Sequence, residues 1–102
     1  MFVVAILAPD ETLGFIIGKL MDAPEVYDPE GLSLMVDDFC LADEDDWDDI
    51  GDKLINEISR IAKTRGAKQI LVVCGAHDIR KKQFLKQEGL KVASEWHVGG
   101  IR

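Results

Sequence analysis

The spacing of apolar residues along the chain changes twice between residues 32 and 74, from that of a strand to that of a helix and back. Two apolar runs of strand length, residues 32–41 and 70–74, bound this region, and the second (ILVVC) is typical of a strand buried in a parallel sheet. Between them, apolar residues recur at helical spacing on one face: Ile50, Leu54, Ile58, Ile61 and Ala62. A strand, a helix and a strand in this order predict two parallel neighbouring strands joined by a helical crossover.

The segment before this unit predicts a β-hairpin. Residues 2–8 and 13–21 are rich in β-formers, and residues 9–12 between them have the composition of a turn. Residues 22–31 contain two prolines and a glycine, which predicts a loop. The first half of the sheet is therefore expected to be antiparallel.

The C-terminal part predicts one more helix and one more strand. A short basic helix is expected over residues 79–88, ending at Gly89, and a strand over residues 90–98. The predicted element order is β-β-β-α-β-α-β. Together these elements predict a single α/β domain, residues 1–102, with a mixed sheet.

Charge is distributed unevenly along the chain. Residues 1–52 hold 15 acids and one base, whereas residues 53–102 hold four acids and 11 bases, and the chain carries a net charge of −7. The acidic excess argues against a nucleic-acid partner and favours a cationic one, such as an amine or a basic protein surface. No apolar run approaches the roughly 20 residues that span a membrane, and the N-terminus does not resemble a signal peptide.

The two cysteines, Cys40 and Cys74, both lie inside apolar runs. This position predicts small core residues rather than a disulfide, and a cytoplasmic location is therefore expected. Two cysteines and two scattered histidines do not match a zinc-site spacing, so no metal is predicted.

Three segments resemble, in order and spacing, the GCN5-related N-acetyltransferase (GNAT) superfamily. The stretch DDFCL at 37–41 resembles the end of the strand that precedes the family's R/Q-x-x-G-x-G/A signature in members that acetylate diamines and polyamines. Gly51, ten residues after Leu41, matches the last small residue of that signature. Residues 70–74 resemble the family's fifth strand, and residues 84–90 resemble its F-Y-x-x-x-G-F segment. The resemblance implies a GNAT-like fold that lacks the family's usual first strand and two helices.

The resemblance also implies an activity, the acetyl-CoA-dependent N-acetylation of a small amine or polyamine by direct attack of the amine on the thioester. Asp37 or Asp38 would hold the acceptor ammonium or draw its proton. The backbone of three strand residues would position the acetyl group and the pantetheine arm: Phe39, Cys40 and Leu41. Two residues at the start of the following helix would offer N–H groups to the pyrophosphate: Ile50 and Gly51.

Several positions depart from the family pattern. Asp46 occupies the Arg/Gln position of the signature, Asp49 replaces its first glycine, and Leu85 lies where many members carry the tyrosine that protonates the leaving thiolate. His77 is the local substitute for that proton donor. Arg80 belongs to a basic patch, completed by Lys81, Lys82 and Lys86, that would partly replace the signature arginine at the phosphates; a solvated helix face is the alternative.

The segment DEDDWDD at 43–49, called here the acidic loop, carries six carboxylates. Three interpretations stay open: it binds a divalent cation, it docks a basic partner such as the basic half of another copy, or it is solvated and caps the helix through Asp48 or Asp49. Its charge also leaves an alternative function, a degenerate GNAT-like binding or regulatory module that has lost acetyl-CoA binding. A homodimer would cover the exposed edges of the predicted sheet.

Overall fold

The computed structural model describes residues 2–8, 11–22 and 31–102, and side chains in 12–22 and 31–102. In chain order, its strands and helices are β1 (Phe2–Ala8), β2 (Glu11–Asp22), β3 (Leu32–Leu41), α1 (Asp52–Thr64), β4 (Ala67–Val72) and α2 (Ile79–Gln87). A 3₁₀ turn (Glu44–Asp46) and a π-helical turn (Trp47–Gly51) lead directly into α1. None of the helices in these ranges is long and apolar enough to cross a membrane.

The described strands form one mixed sheet in the order β1-β2-β3-β4. β1 pairs with β2 and β2 with β3 in antiparallel fashion, whereas β3 and β4 are parallel. The predicted hairpin and the predicted parallel pair around a crossover helix are therefore confirmed. Part of the predicted turn, residues 9–10, and most of the predicted loop, residues 23–30, lie outside the described residues.

The core lies between one face of the sheet and α1. Ile16, Leu34 and Val36 from the strands are buried together with Leu54 and Ile58 from the helix, each at most 1% exposed. These residues repeat every second position in the strands and every fourth in the helix, so both elements present a continuous apolar face. This is the face that the hydrophobic period predicts.

The predicted last strand, residues 90–98, is wrong. Gly89 adopts a positive φ of 90° at the end of α2, and the N–H of Leu90 bonds to the carbonyl of Leu85 at 3.0 Å. From residue 91 onward the chain has no regular secondary structure and every residue is exposed. The alternation of apolar and polar residues is strand-like, but a strand also needs a partner edge within reach, and the exit from α2 leads into solvent.

The predicted cap of the crossover helix is also wrong. Helical winding begins at Glu44 rather than at Asp48 or Asp49, and Asp43 caps it by accepting a hydrogen bond from the N–H of Asp45 at 2.9 Å. Trp47 is only 5% exposed, so the turns before α1 are packed against the core. Burial of this ring outweighs the turn-forming tendency of the surrounding aspartates.

The cysteines differ from each other in burial. Cys40 is exposed, contrary to the prediction of a core residue, because it points away from the face on which its neighbours Phe39 and Leu41 pack against the core. Cys74 is half-buried and packs against the core, and both thiols are free.

Candidate functional site

The parallel strands β3 and β4 separate halfway along β3. The register with β2 joins Ile17 to Asp38 and Gly18 to Val36, so Asp37 is an extra residue that forms a β-bulge. Pairing between β3 and β4 ends at Val36 and Val72, followed only by a 3.5 Å N–H···O contact from Val73 to Val36. Among the described strands, the last residues of β3 therefore pair with β2 alone. We call the space between residues 38–41 and 73–78 the strand notch.

An aromatic cluster forms the floor of the strand notch. Phe39 from β3, Trp47 from the π-helical turn and Phe84 from α2 are each at most 5% exposed. The ring centroid of Phe39 lies 4.9 Å from that of Trp47 and 5.9 Å from that of Phe84, and both contacts are edge to face. The ring centroids of Trp47 and Phe84 are 5.2 Å apart. Such pairs contribute about 0.5–1.5 kcal/mol each beyond their buried area. The cluster fixes three separate elements around the end of β3.

Lys81 brings a positive charge into the strand notch. Its residue is 8% exposed, and its Nζ lies 5.6 Å from the ring centroid of Phe39. The pKa of the Cys74 thiol, just beyond β4, is raised chiefly by burial and pulled back by the charge of Lys81. The ammonium thus lies beside Phe39, near the end of β3.

The burial of Lys81 corrects the sequence prediction, which placed it in a basic patch on this helix, either at the cofactor's phosphates or on a solvated face. Lys81, Phe84 and Leu85 are the three buried residues of α2. They are spaced i, i+3 and i+4, so the helical period alone puts the lysine on the same face as the two apolar residues. Applying that period to the nine residues of α2 would have identified Lys81 as the basic residue that faces inward.

The three predicted catalytic residues lie on the two segments that border the strand notch. Asp37 and Asp38 are both exposed beside the bulge, and His77 is exposed in the turn that follows β4. Among the described residues, no hydrogen bond or ion pair joins either carboxylate to the imidazole. Both carboxylates are open to an incoming cation, which is the condition for holding an ammonium group.

Ile50 and Gly51, the predicted pyrophosphate contacts, are buried. They lie inside continuous helical winding, several residues after its start at Glu44. A Cβ on Gly51 would come within 2.8 Å of Cε3 of Trp47, so the indole ring covers this glycine. A diphosphate therefore does not fit against Gly51 in this structure, because the ring occupies the approach that a Gly-rich cradle keeps open.

Two carboxylates of the acidic loop are paired with bases. Arg80 in α2 contacts Asp48 at 3.1 Å, and Lys53 in α1 contacts Asp49 at 3.0 Å. Arg80 is the more enclosed of the two bases, with its side chain 28% exposed against 63% for Lys53. Arg80 thus ties α2 to the π-helical turn instead of projecting from an open basic face.

Negative charge accumulates where α2 ends beside the start of α1. Burial, a hydrogen bond with the Asp52 carboxyl and the negative charges of Asp52 and Asp48 together raise the pKa of Glu88. Burial is the largest of these causes, and the two neighbouring carboxylates add a local field that disfavours further negative charge. This field also opposes the binding of a diphosphate near the first residue of α1.

Solved structures, among them a probable acetyltransferase and an aminoglycoside acetyltransferase, share this fold. An integron cassette protein from the mobile metagenome of V. cholerae superposes with a TM-score of 0.75 at 20% identity, covering 98% of this chain and 60% of its own. A probable acetyltransferase superposes with a TM-score of 0.70 at 16% identity, and the match covers 98% of this chain and 66% of that protein. An aminoglycoside acetyltransferase from an uncultured soil metagenomic sample superposes with a TM-score of 0.69 at 20% identity, and the match covers 98% of this chain and 64% of that protein. The chain thus spans less than two thirds of the length of these structures. No protein-family profile and no curated protein sequence matches the chain.

Proposed function

We propose that the chain carries out acyl transfer from a coenzyme A thioester to a small amine. The observation that carries this proposal is the strand notch. The pairing of β3 with β4 ends at the bulge at Asp37 and leaves a strand edge free near Lys81, whose Nζ lies 5.6 Å from the ring centroid of Phe39. In parallel α/β sheets, ligands bind at such openings beyond the carboxyl ends of the strands. The shared fold with solved acetyltransferases supports the same assignment.

The free edge of β3 would hold the donor. Among the described strands, the backbone groups of residues 38–41 that point away from β2 have no strand partner. The pantetheine arm of coenzyme A contains two amide groups, so it can pair with this edge as an added strand does. Phe39, Cys40 and Leu41 act here through their N–H and C=O groups, which fits the outward orientation of the Cys40 side chain. The bound thioester supplies the activated acetyl group.

The acidic bulge would receive the acceptor. Asp37 and Asp38 are exposed at the point where the strands separate, so a protonated amine meets negative charge immediately beside the free edge. One carboxylate holds the ammonium and draws its proton before the amine attacks. A solved aminoglycoside acetyltransferase bound to sisomicin is a structural neighbour, which supports aminoglycoside-like amines as the first compounds to test, alongside the polyamines that the sequence resemblance implies.

Lys81 would stabilise the negative charge that develops on the leaving thiolate by donating a proton to it. A lysine ammonium has three N–H donors, whereas Leu85 at the family's tyrosine position has none. Because its Nζ lies over the ring of Phe39, Lys81 would be able to donate a proton to a sulfur atom placed beside the end of β3. His77, in the turn between β4 and α2, is the second candidate for the proton donor.

The diphosphate of the donor needs a contact other than Ile50 and Gly51. Trp47 covers Gly51, and the surrounding carboxylates oppose an anion. Arg80 is the available cation, and it reaches a phosphate group by exchanging its contact with Asp48 for one with the ligand. The chain is therefore expected to bind acetyl-CoA less tightly than an enzyme with an intact phosphate cradle.

Calorimetric titration of the purified chain with acetyl-CoA, with and without magnesium, tests the proposal. Dissociation constants in the micromolar range would support it, and a panel of polyamines and aminoglycosides would then be assayed for release of free coenzyme A. Asp37→Asn and Asp38→Asn should raise the KM for the amine and leave the affinity for acetyl-CoA unchanged. Absence of heat at millimolar acetyl-CoA would overturn the proposal and point to a module that uses the fold without the cofactor.

A further inference from the structure

The helix itself uses the N–H groups that could hold a diphosphate before α1. Helical winding begins at Glu44, and a helix leaves unpaired only the N–H groups of its first turn. Gly51 lies beyond that turn, at the end of the π-helical turn that continues into α1, where N–H groups bond to carbonyls of the preceding turn. At the true start, the N–H groups of residues 45 and 46 are bonded to the side chain and the carbonyl of Asp43. A diphosphate at Gly51 would therefore compete with the helix for its donor.

Space and charge at the same place also oppose a diphosphate. Trp47 is 5% exposed and covers Gly51. The 3₁₀ turn in which the winding starts consists of three acidic residues, so carboxylates already occupy the helix start that an anion would seek. Asp48 and Asp52 add negative charge at the junction with α1, which contributes to the raised pKa of Glu88. The phosphate groups of coenzyme A thus meet repulsion instead of a cradle.

The free edge of β3 suits the other half of the donor. Among the described strands, residues 38–41 pair with β2 alone, so the backbone groups on their other side are open to a ligand. The pantetheine arm is uncharged and carries two amide groups, which match an open strand edge. The nearby carboxylates therefore do not repel it. The strand notch fits the arm of the donor, whereas the start of α1 does not fit the nucleotide.

We propose that this chain recognises its donor by the pantetheine arm alone, and that its donor is an acyl thioester of pantetheine or phosphopantetheine without the nucleotide. This inference rests on the proposed acyl transfer and names the donor class for it. Acetyl-CoA carries the same arm and remains a donor, but repulsion of its nucleotide makes it the weaker one. A single phosphate at the end of the arm requires only one cation, and Arg80 supplies it by exchanging its contact with Asp48.

The transfer step is complete without the nucleotide. The amine nitrogen forms a bond to the thioester carbonyl carbon and loses a proton, the carbon–sulfur bond breaks, and the sulfur leaves as a pantetheine thiol after taking up a proton. No atom of the nucleotide takes part in these changes. In an enzyme with a phosphate cradle the nucleotide contributes binding energy from a distance, and here the structure offers no such contact.

A comparison of S-acetylpantetheine, acetyl-phosphopantetheine and acetyl-CoA tests the proposal. Calorimetric titration gives the dissociation constant of each, and transfer to one amine gives each KM. The dissociation constant of acetyl-CoA should be about fivefold above that of S-acetylpantetheine. Raising the ionic strength should tighten the binding of acetyl-CoA, because salt screens repulsion, and should leave that of the uncharged S-acetylpantetheine unchanged.

The outcomes separate this inference from the proposed function. Acetyl-CoA binding tenfold or more tighter than S-acetylpantetheine would overturn the inference and leave acyl transfer intact. Absence of both binding and transfer with all three donors would overturn acyl transfer and this inference with it. An acyl carrier protein with an acetylated arm distinguishes the source of the arm, since a KM below that of acetyl-phosphopantetheine assigns a protein-bound donor and a KM above it assigns the free thioester.

A pair of charge variants tests the local repulsion. Asp45→Asn neutralises an exposed carboxylate in the 3₁₀ turn and should tighten the binding of acetyl-CoA about twofold, with no change for S-acetylpantetheine. Asp22→Asn is the matched control, because Asp22 is exposed and pairs with Leu32 at the other end of β3 from the strand notch. Equal gains in the two variants would show a general effect of net charge and would overturn the proposed repulsion at the start of α1.

Discussion

Gly51 lies directly beneath the indole ring of Trp47, where a Cβ would come within 2.8 Å of Cε3. The same Cβ would be 3.3 Å from the ring of Phe84, and both rings are buried. The glycine that the sequence suggests as part of a phosphate cradle is therefore a packing glycine in this structure. Its role is to let the aromatic cluster close over the start of α1.

Gly51→Ala is expected to destabilise the chain by about 1 kcal/mol. Replacing a helical glycine by alanine usually stabilises by up to about 1 kcal/mol, but overpacking a filled core costs about 1–3 kcal/mol, and here the second effect is larger because Trp47 is held by Phe39 and Phe84. Urea unfolding measures the change. Gly75→Ala is the matched control, because a Cβ there has no neighbour within 4 Å and the change should stay within about 0.5 kcal/mol. A Gly51→Ala chain more stable than wild type would show that the rings move aside freely.

Removing the partner of Arg80 should strengthen the binding of coenzyme A. In Asp48→Asn the guanidinium is released for a phosphate group, and recovering an exposed ion pair of about 1 kcal/mol corresponds to roughly fivefold tighter binding. Calorimetric titration of wild type and Asp48→Asn with coenzyme A measures the change in the dissociation constant. Asp49→Asn removes the same charge next to Lys53 instead and is the control for a general electrostatic effect. Equal gains in both variants would show that net charge matters and that release of Arg80 does not.

The order of strands and crossover helix was predictable because each of these elements has its own hydrophobic period. Residues 32–41 are predicted with the exact bounds of β3, and the parallel pairing with the strand after α1 follows from the strand–helix–strand order. Such patterns record which face of an element is buried. They are local, and they are strong enough here to give the architecture of the described sheet.

The candidate site was less predictable because it depends on tertiary contacts. No pattern reveals that Trp47 turns inward from the acidic loop to cover Gly51, or that Arg80 reaches Asp48 across 32 positions of sequence. The bulge at Asp37 likewise emerges only from pairing with β2, because a one-residue insertion in a strand has no signature of its own. The failed strand at 90–98 has the same cause, since alternation does not supply a partner.

Lys81→Met is expected to reduce kcat for acyl transfer by about 100-fold, in the range for loss of one positioned acid–base group. Stability should change little, because methionine fills a similar volume against Phe39 and the lost contact of the ammonium with the ring is worth about 0.5–1 kcal/mol. The comparison of kcat with the KM for the amine distinguishes the two roles, since loss of a proton donor lowers kcat and leaves that KM unchanged. His77→Ala serves as the comparison for the second candidate donor. An unchanged kcat with a lowered melting temperature would assign Lys81 a purely structural role.

Glu88→Gln is expected to stabilise the chain at neutral pH and to have no effect in acid. The pKa of Glu88 in the folded state lies above its ordinary value of 4.5, which applies to the unfolded chain. At a pH between the unfolded-state and folded-state pKa values, the folded state therefore binds more protons than the unfolded state, and stability falls as pH rises. A neutral glutamine removes the repulsion from Asp52 and Asp48, and because the site is only half-buried the gain at pH 7 should be below about 1 kcal/mol. Below pH 4.5 both forms are uncharged and the difference disappears. Urea unfolding of both chains at pH 7 and pH 4 measures this.

Glu57→Gln is the control of opposite sign for this experiment. Arg60 lowers the pKa of Glu57 through a side-chain hydrogen bond, so the ionised carboxylate stabilises the folded state above its ordinary value of 4.5, and that contribution is lost as pH falls. The glutamine should therefore weaken the chain slightly at pH 7, where Glu88→Gln strengthens it. If both substitutions shift stability in the same direction at pH 7, the effect comes from net charge, because each removes one negative charge from a chain of net −7. Opposite shifts would instead locate the repulsion at the contact of Glu88 with Asp52.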